Sequence, residues 1–146
     1  MVYDISLPLP PGWTSEEDRY DEVDGQTITH LECRKPESEG TWLIDLYVGN
    51  MPSDTSAEDE AYANYAEIIG WDEEDDEEDP IAEWKFQNRT AYGFSGECED
   101  GSIMLLMCLE IKKGTLVILS IVAPDDEAVG KVAKHVEEKL RIKAVK

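Results

Sequence analysis

The sequence predicts an α+β domain: an antiparallel sheet of about six to seven strands with a helix on each face, a three-layer α/β/α sandwich. Residues 89–123 predict three consecutive strands joined by tight turns at Glu99-Asp100-Gly101 and Lys112-Lys113-Gly114, where glycine is typical of hairpin turns. The runs at 103–111 and 116–122 are apolar at nearly every position, which predicts a sheet buried on both faces. Two stretches of helical periodicity predict two helices, one packed on each face of the sheet. An arrangement with both helices on one face and a partner subunit on the other stays open.

Alternating runs in the first fifty residues predict short strands. They cover Val2–Leu7, Arg19–Val23, Thr27–Cys33 and Thr41–Val48. Pro8 ends the first run because proline cannot donate to a strand ladder. Trp13 is expected to fold back onto the core, and Glu16–Asp18 to form a solvated loop or a single helical turn. Asp24-Gly25 predicts a hairpin turn.

A first helix is expected from Ala57 to about Ile69. The segment Thr55-Ser56-Ala57-Glu58 fits a capping box, in which a hydroxyl and a carboxylate each accept from a free backbone N–H. Gly70 suits the position just after the helix.

The second half predicts a strand at Ile81–Gln87, the meander and a last helix beginning near Pro124–Asp126. In the meander, a two-residue turn at Asp100-Gly101 would place Cys98 opposite Ile103 and Cys108 opposite Gly93. Leu106 and Leu119 are expected to be fully buried. The small residues Ala91, Gly93 and Ser95 predict a face that a helix approaches closely.

The last helix carries its apolar stripe at Val129, Val132, Ala133, Val136 and Leu140, and Lys139, Arg141 and Lys143 suit its C-terminal end.

Between the first helix and the next strand, Asp72–Asp79 is an unbroken run of acidic residues. Because adjacent carboxylates repel one another, the run predicts a mobile acidic loop at about 71–80. Residues 1–146 otherwise fit a single domain.

The charge is strongly negative, with 34 acidic against 13 basic residues and a formal net charge of −21. Such a field repels nucleic acid and anionic membranes, so neither is expected as a partner, and it attracts basic proteins or divalent cations. The three cysteines form no CxxC pair, which suits reduced thiols and a cytoplasmic protein. We recognise no signal peptide and no membrane-spanning run.

No residue pattern predicts catalysis. The two histidines, His30 and His135, do not stand in a recognisable arrangement with a nucleophile, and phosphate-binding or nucleophile-elbow motifs are lacking. Asp72–Glu77 lacks the glycine that an EF-hand requires at its sixth position. We therefore expect no enzyme activity, no cofactor, and no catalytic or metal-binding residues.

The element order and the segment Pro10-Pro11-Gly12-Trp13 resemble the PsbP-like α/β/α sandwich family, which includes Ran-GTPase-binding proteins and bacterial lipoproteins. The resemblance implies a mostly non-catalytic binding or assembly role. No binding residue of the family can be matched to this sequence.

These observations predict a non-catalytic module that binds a macromolecular partner, a protein and in particular a basic one. Trp71 beside the acidic run is expected at the binding surface, because an exposed tryptophan among charges resembles an interface hot spot, although packing of its ring beneath the loop stays open. The candidate partner-binding residues are Trp71, Asp72, Asp75, Asp76, Glu77 and Glu78. One alternative is an acidic mimic of nucleic acid that inhibits a basic protein, which a long acidic stripe would favour. A second alternative is an enzyme with an unrecognised carboxylate site, which a pocket lined by carboxylates would favour.

Overall fold

The computed structural model is built mainly from strands. It describes residues 2–21, 27–35, 41–50, 56–68, 81–98, 101–112 and 115–145. Within these ranges the strands are β1 (Val2–Ser6), β2 (Thr14–Asp21), β3 (Thr27–Arg34), β4 (Leu43–Asn50), β5 (Ala82–Phe86), β6 (Arg89–Glu97), β7 (Ile103–Lys112), β8 (Thr115–Ala123) and β9 (Arg141–Val145). The helices are α1 (Ala57–Ile68) and α2 (Asp126–Lys139).

Seven strands form one antiparallel sheet in the order β2-β3-β4-β8-β7-β6-β5. The predicted hairpin between β2 and β3 and the meander β6-β7-β8 are confirmed. Strand β8 returns beside β4 and so joins the two halves of the chain at the centre of the sheet. Strands β1 and β9, from the two ends of the described chain, form a separate two-stranded sheet.

The central strands β7 and β8 are buried on both faces, which explains why their sequences do not alternate. One face contributes Met107, Leu109 and Leu119 to a core that includes the apolar stripe of α2. The other face contributes Leu106 and Cys108 to a second core that includes residues of α1. Leu106 and Leu119 are buried, as predicted.

The predicted three-layer sandwich with a helix on each face is wrong. Most of the described residues are in strands, and the two described helices do not form two complete outer layers. Helix α1 packs on β6 and β7 and leaves the same face of β2, β3 and β4 without a helix among the described residues. On the opposite face, the small sheet shares the cover with α2, since β1 contacts β3 and β4.

Two sequence assignments are wrong for local reasons. Residues Glu16–Asp18 belong to β2, not to a loop or a helical turn. As an edge strand, β2 exposes Thr14–Asp18 on both faces, so it has no apolar alternation to detect. Arg141 and Lys143 belong to β9 instead of continuing the last helix, which ends at Lys139.

The β6-β7 register is shifted by one residue from the predicted one. Glu97, not Cys98, lies opposite Ile103, and Tyr92 lies opposite Cys108. The turn is longer than two residues, since the Cys98 amide donates to the Ser102 carbonyl at 2.7 Å.

Both helices begin at a capping residue. Helix α1 has a capping box one residue later than predicted, because the Ser56 hydroxyl accepts from the Asp59 amide and the Asp59 carboxylate accepts from the Ser56 amide. Thr55 lies outside the described residues. At α2, the Asp125 carboxylate accepts from the Ala128 amide at 2.8 Å.

Candidate functional site

The surface predicted from the sequence lies outside the described residues. Trp71, Asp72, Asp75, Asp76, Glu77 and Glu78 belong to the connection between the end of α1 at Ile68 and the start of β5 at Ala82. Their part in binding stays a prediction.

Three carboxylates lie in one row across three neighbouring strands, on the α1 side of the sheet but on strands with which no described helix packs. Glu16 of β2 is opposite Glu32 of β3, and Glu32 is opposite Asp45 of β4. We call Glu16, Glu32 and Asp45 the acidic row. Side chains directly opposite on neighbouring strands are about 5 Å apart, so like charges in such a row repel one another.

Two side chains, one histidine and one arginine, contact carboxylates of the row. His30 Nε2 lies 2.7 Å from Asp45 Oδ1, and the His30 ring stacks on Tyr47 with the ring centroids 4.2 Å apart. Arg34 Nε pairs with Glu32 Oε1. The His30 and Asp45 side chains are only 15 % and 24 % exposed, so their hydrogen bond is largely shielded from water.

The field of the row reaches the opposite face of the sheet. Burial raises the pKa of the Cys33 thiol to about 11, and the charges of Asp45 and Glu32 contribute to the increase. On β7, burial and the charge of Glu60 raise the pKa of Cys108 to about 12. Both thiols are therefore protonated at neutral pH, and neither is an activated nucleophile. Cys33, Cys98 and Cys108 are all free thiols, as expected.

The same cluster offers donors for a metal ion. One ligand atom from each of His30, Glu32 and Asp45 lies within 4.8 Å of the others. A nitrogen and two carboxylate oxygens suit zinc or manganese. A bound ion would have to replace the hydrogen bond between His30 and Asp45 and compete with Arg34 for Glu32. The sequence did not indicate this grouping, because it depends on the β3-β4 register.

On the opposite side of the sheet, two tryptophans border a cleft of about 210 Å³. The Trp13 and Trp42 rings meet edge to face at 6.2 Å between centroids and 84° between planes. Both rings are half-buried and pack against the core, which confirms the prediction made for Trp13. Ile44 and Val132 also line this space, which we call the tryptophan cleft.

Basic groups surround the tryptophan cleft. Lys35, Lys131 and His135 line it, and Lys35 Nζ lies 4.9 Å from the centroid of the Trp42 ring. His135 Nε2 is 2.6 Å from the Pro8 carbonyl oxygen. Since a carbonyl only accepts, Nε2 carries the proton and donates to it. This bond ties the segment after β1 to α2 and holds one wall of the cleft in place. The sequence did not indicate the cleft, because its residues come from three distant segments.

Neither described helix is long and apolar enough to cross a membrane. A scan against protein-family models, a search of curated proteins and a search of solved structures each found no match. They neither support nor oppose the PsbP-like resemblance, which stays a prediction.

Proposed function

We propose that the protein is a non-catalytic binding module that recognises a basic segment of a partner protein through the acidic row. The observation that carries this proposal is the cross-strand alignment of Glu16, Glu32 and Asp45. His30 contacts Asp45 and Arg34 contacts Glu32, so these two residues reduce the repulsion within the row only in part. Glu16 is exposed, and the protein as a whole carries a net charge of −21.

The arrangement works against the stability of the sheet and favours binding. Like charges directly opposite on neighbouring strands destabilise a sheet, and such locally unfavourable choices are typical of functional sites. A lysine or arginine of a partner would relieve the repulsion on docking. The surrounding negative field would also speed the encounter with a basic protein.

The two alternatives have less support in the described part of the chain. The acidic row crosses three strands at a spacing of about 4.8 Å, so its length is about 10 Å, which is short for a mimic of a nucleic-acid backbone. For the carboxylate enzyme, the relevant feature is a pocket of about 270 Å³ between α1 and the sheet that Glu58 and Glu110 line. Its other described lining residues are Ser56, Ala57, Thr90 and Tyr92, so it contains no histidine, lysine or arginine to assist the two carboxylates.

An octalysine peptide labelled with a fluorophore provides the test, because it reports binding before a natural partner is known. Its affinity is measured by anisotropy at low and physiological salt for three variants with the same change in charge. The first neutralises the acidic row by Glu16→Gln, Glu32→Gln and Asp45→Asn. The second makes Asp75→Asn, Asp76→Asn and Glu77→Gln in the acidic run. The third, a control on α2, makes Asp126→Asn, Glu127→Gln and Glu138→Gln.

We expect the row variant to lose about fivefold or more in affinity relative to the α2 control, with the difference shrinking as salt rises. Equal losses in all three variants would mean that the peptide responds only to net charge, and would refute the proposal. A loss confined to the second variant would move the site to the surface predicted around Trp71. Circular dichroism melts check that each variant is folded.

We also propose a reducing, cytoplasmic location, which the three free thiols support. Thiol counting on native-source protein, denatured without reductant, should find three free thiols. A count of one would establish a disulfide and oppose this location.

A further inference from the structure

We propose that the tryptophan cleft is a binding site for a small organic anion, an aromatic ring that carries a carboxylate on a short chain. This site lies on the opposite side of the sheet from the acidic row and does not depend on the function proposed for that row.

The size and lining of the tryptophan cleft fit one aromatic ring. Its volume is about 210 Å³, and an apolar cavity of about 150 Å³ accommodates benzene, so a ring with a small substituent fits. The Trp13 and Trp42 rings, already at right angles to each other, offer a face and an edge to a third ring. Ile44 and Val132 are buried beneath them and supply an apolar floor.

The described lining of the cleft is basic, although the net charge of the chain is −21. Among the residues that the structure describes, the titratable side chains in this lining are Lys35, Lys131 and His135. Glu127 lies 3.4 Å from Lys131 Nζ, but both side chains are more than three-quarters exposed, so this pair is a weak competitor for a ligand carboxylate. A ligand ring packed against the two tryptophans would place its carboxylate toward the lysines that line the cleft.

The walls are held in place before any ligand arrives. The His135 bond to Pro8 fixes the segment that carries Pro10, and the Trp13–Trp42 contact fixes the two rings. A prearranged site loses less side-chain freedom on binding, which favours affinity.

Three compounds with the same ring separate this proposal from general electrostatics: phenylacetate, its neutral analogue phenylacetamide and the cation phenethylamine. Each is titrated into the protein, and binding is followed by tryptophan fluorescence and by the indole N–H resonances in NMR spectra. The field of a protein with a net charge of −21 favours the cation. We expect the reverse order, with phenylacetate binding about tenfold more tightly than phenethylamine, and the resonances of Trp13 and Trp42 shifting.

The double variant Lys35→Gln, Lys131→Gln tests the role of the lysines. The wild type should bind phenylacetate about fivefold more tightly than phenylacetamide, and the double variant should bind the two compounds equally. The control Lys134→Gln, Lys139→Gln makes the same change in charge on α2, at residues outside the cleft lining, and should keep the preference. Because all four lysines have partly or largely exposed side chains, the fold should tolerate both changes, and thermal melts verify this.

Three results would overturn the proposal: phenethylamine binding at least as tightly as phenylacetate, no shift of the Trp13 and Trp42 resonances, or equal loss of preference in both double variants. A peptide with a C-terminal phenylalanine is titrated as well. Tighter binding of this peptide than of phenylacetate would replace the small anion by a peptide terminus as the occupant.

Discussion

Gly93 of β6 lies so close to the Leu106 carbonyl of β7 that a β-carbon could not fit between them. A Cβ built on Gly93 would lie 2.9 Å from the Cα of Met107 and closer still to the Leu106 oxygen. The obstacle is backbone at the centre of the sheet, so it cannot move aside as a flexible side chain would. The sequence indicated a close approach at Gly93 but assigned it to a helix, whereas α1 packs on the Tyr92 and Phe94 side of β6.

We therefore expect Gly93→Ala to destabilise the protein by about 3 kcal/mol or more, because β6 and β7 must separate to admit the methyl group. Gly130→Ala is the matched control. Gly130 lies in α2 with no atom near its built Cβ, so alanine there should add about 0.5–1 kcal/mol through helix propensity. Urea melts of both variants measure the difference. A neutral Gly93→Ala would contradict the β6-β7 register.

Gln87, in the turn between β5 and β6, closes the C-terminal end of α2. Its side-chain amide donates to the carbonyls of Glu137 and Leu140 at 2.8 and 2.9 Å, and its backbone amide donates to the Glu137 carboxylate at 3.1 Å. The Glu137 and Leu140 carbonyls lie at the end of α2, where the helix itself provides no backbone N–H to donate to them. Gln87→Ala should cost about 1–2 kcal/mol through the two lost side-chain hydrogen bonds.

Asn88→Ala controls for the backbone of this turn. Gln87 and Asn88 both have positive φ angles, 51° and 64°, so alanine is strained to a similar degree at either position. The Asn88 side chain is exposed. The excess loss of stability in Gln87→Ala over Asn88→Ala therefore measures the contacts with α2. Equal losses would mean that only the turn conformation matters.

Strands that are buried on both faces were predicted well from the sequence, whereas strands at the edge of a sheet were predicted poorly. The unbroken apolar runs of β7 and β8 were sufficient to predict the centre of the sheet. Edge strand β2 was missed in part because its first residues are exposed on both faces. Strand β9 was missed because it begins two residues after the last residue of α2 and carries Arg141 and Lys143.

Both candidate sites depend on pairings that a single sequence does not specify. The acidic row exists only because Glu16, Glu32 and Asp45 share one register across three strands. A shift of one residue would place Glu32 on the other face of the sheet. The tryptophan cleft requires Trp13 to meet Trp42 and both to lie near α2, and no local pattern indicates those distances.

Cys33 and Cys108 should make stability fall at alkaline pH. Their pKa values are raised to about 11 and about 12, from a normal value of 9.0 in the unfolded chain. Above pH 9 the unfolded state releases thiol protons that the folded state retains, so ΔG of unfolding decreases with rising pH until the folded thiols ionise near pH 11–12. Each thiol contributes a loss of about 1 kcal/mol per pH unit in that window.

The measurement compares urea melts at pH 8 and pH 10 for the wild type and for Cys33→Ala, Cys108→Ala. The double variant begins less stable because it loses buried volume, but its decline between the two pH values should be smaller by about 2–3 kcal/mol. Each single variant, Cys33→Ala or Cys108→Ala, should reduce the decline by about half as much as the double variant does. An unchanged decline in the double variant would show that other groups control the alkaline limit.

Partial neutralisation of the acidic run should not destabilise the protein, an expectation that rests on the sequence because Asp72–Asp79 lies outside the described residues. The sequence has no lysine or arginine between Lys35 and Lys85, so basic neighbours along the chain cannot relieve the run. Asp75→Asn, Asp76→Asn, Glu77→Gln and Glu78→Gln together should leave the melting temperature unchanged or raise it, because they remove repulsion.

Glu127→Gln is the control in which a paired carboxylate is neutralised, since Glu127 is 3.4 Å from Lys131 on α2. This substitution should lower the free energy of unfolding by a few tenths of a kcal/mol. A marked drop in melting temperature for the fourfold variant would mean that the acidic run is paired in the folded protein. A stoichiometric calcium isotherm that the fourfold variant abolishes would mean that these residues form a coordination site.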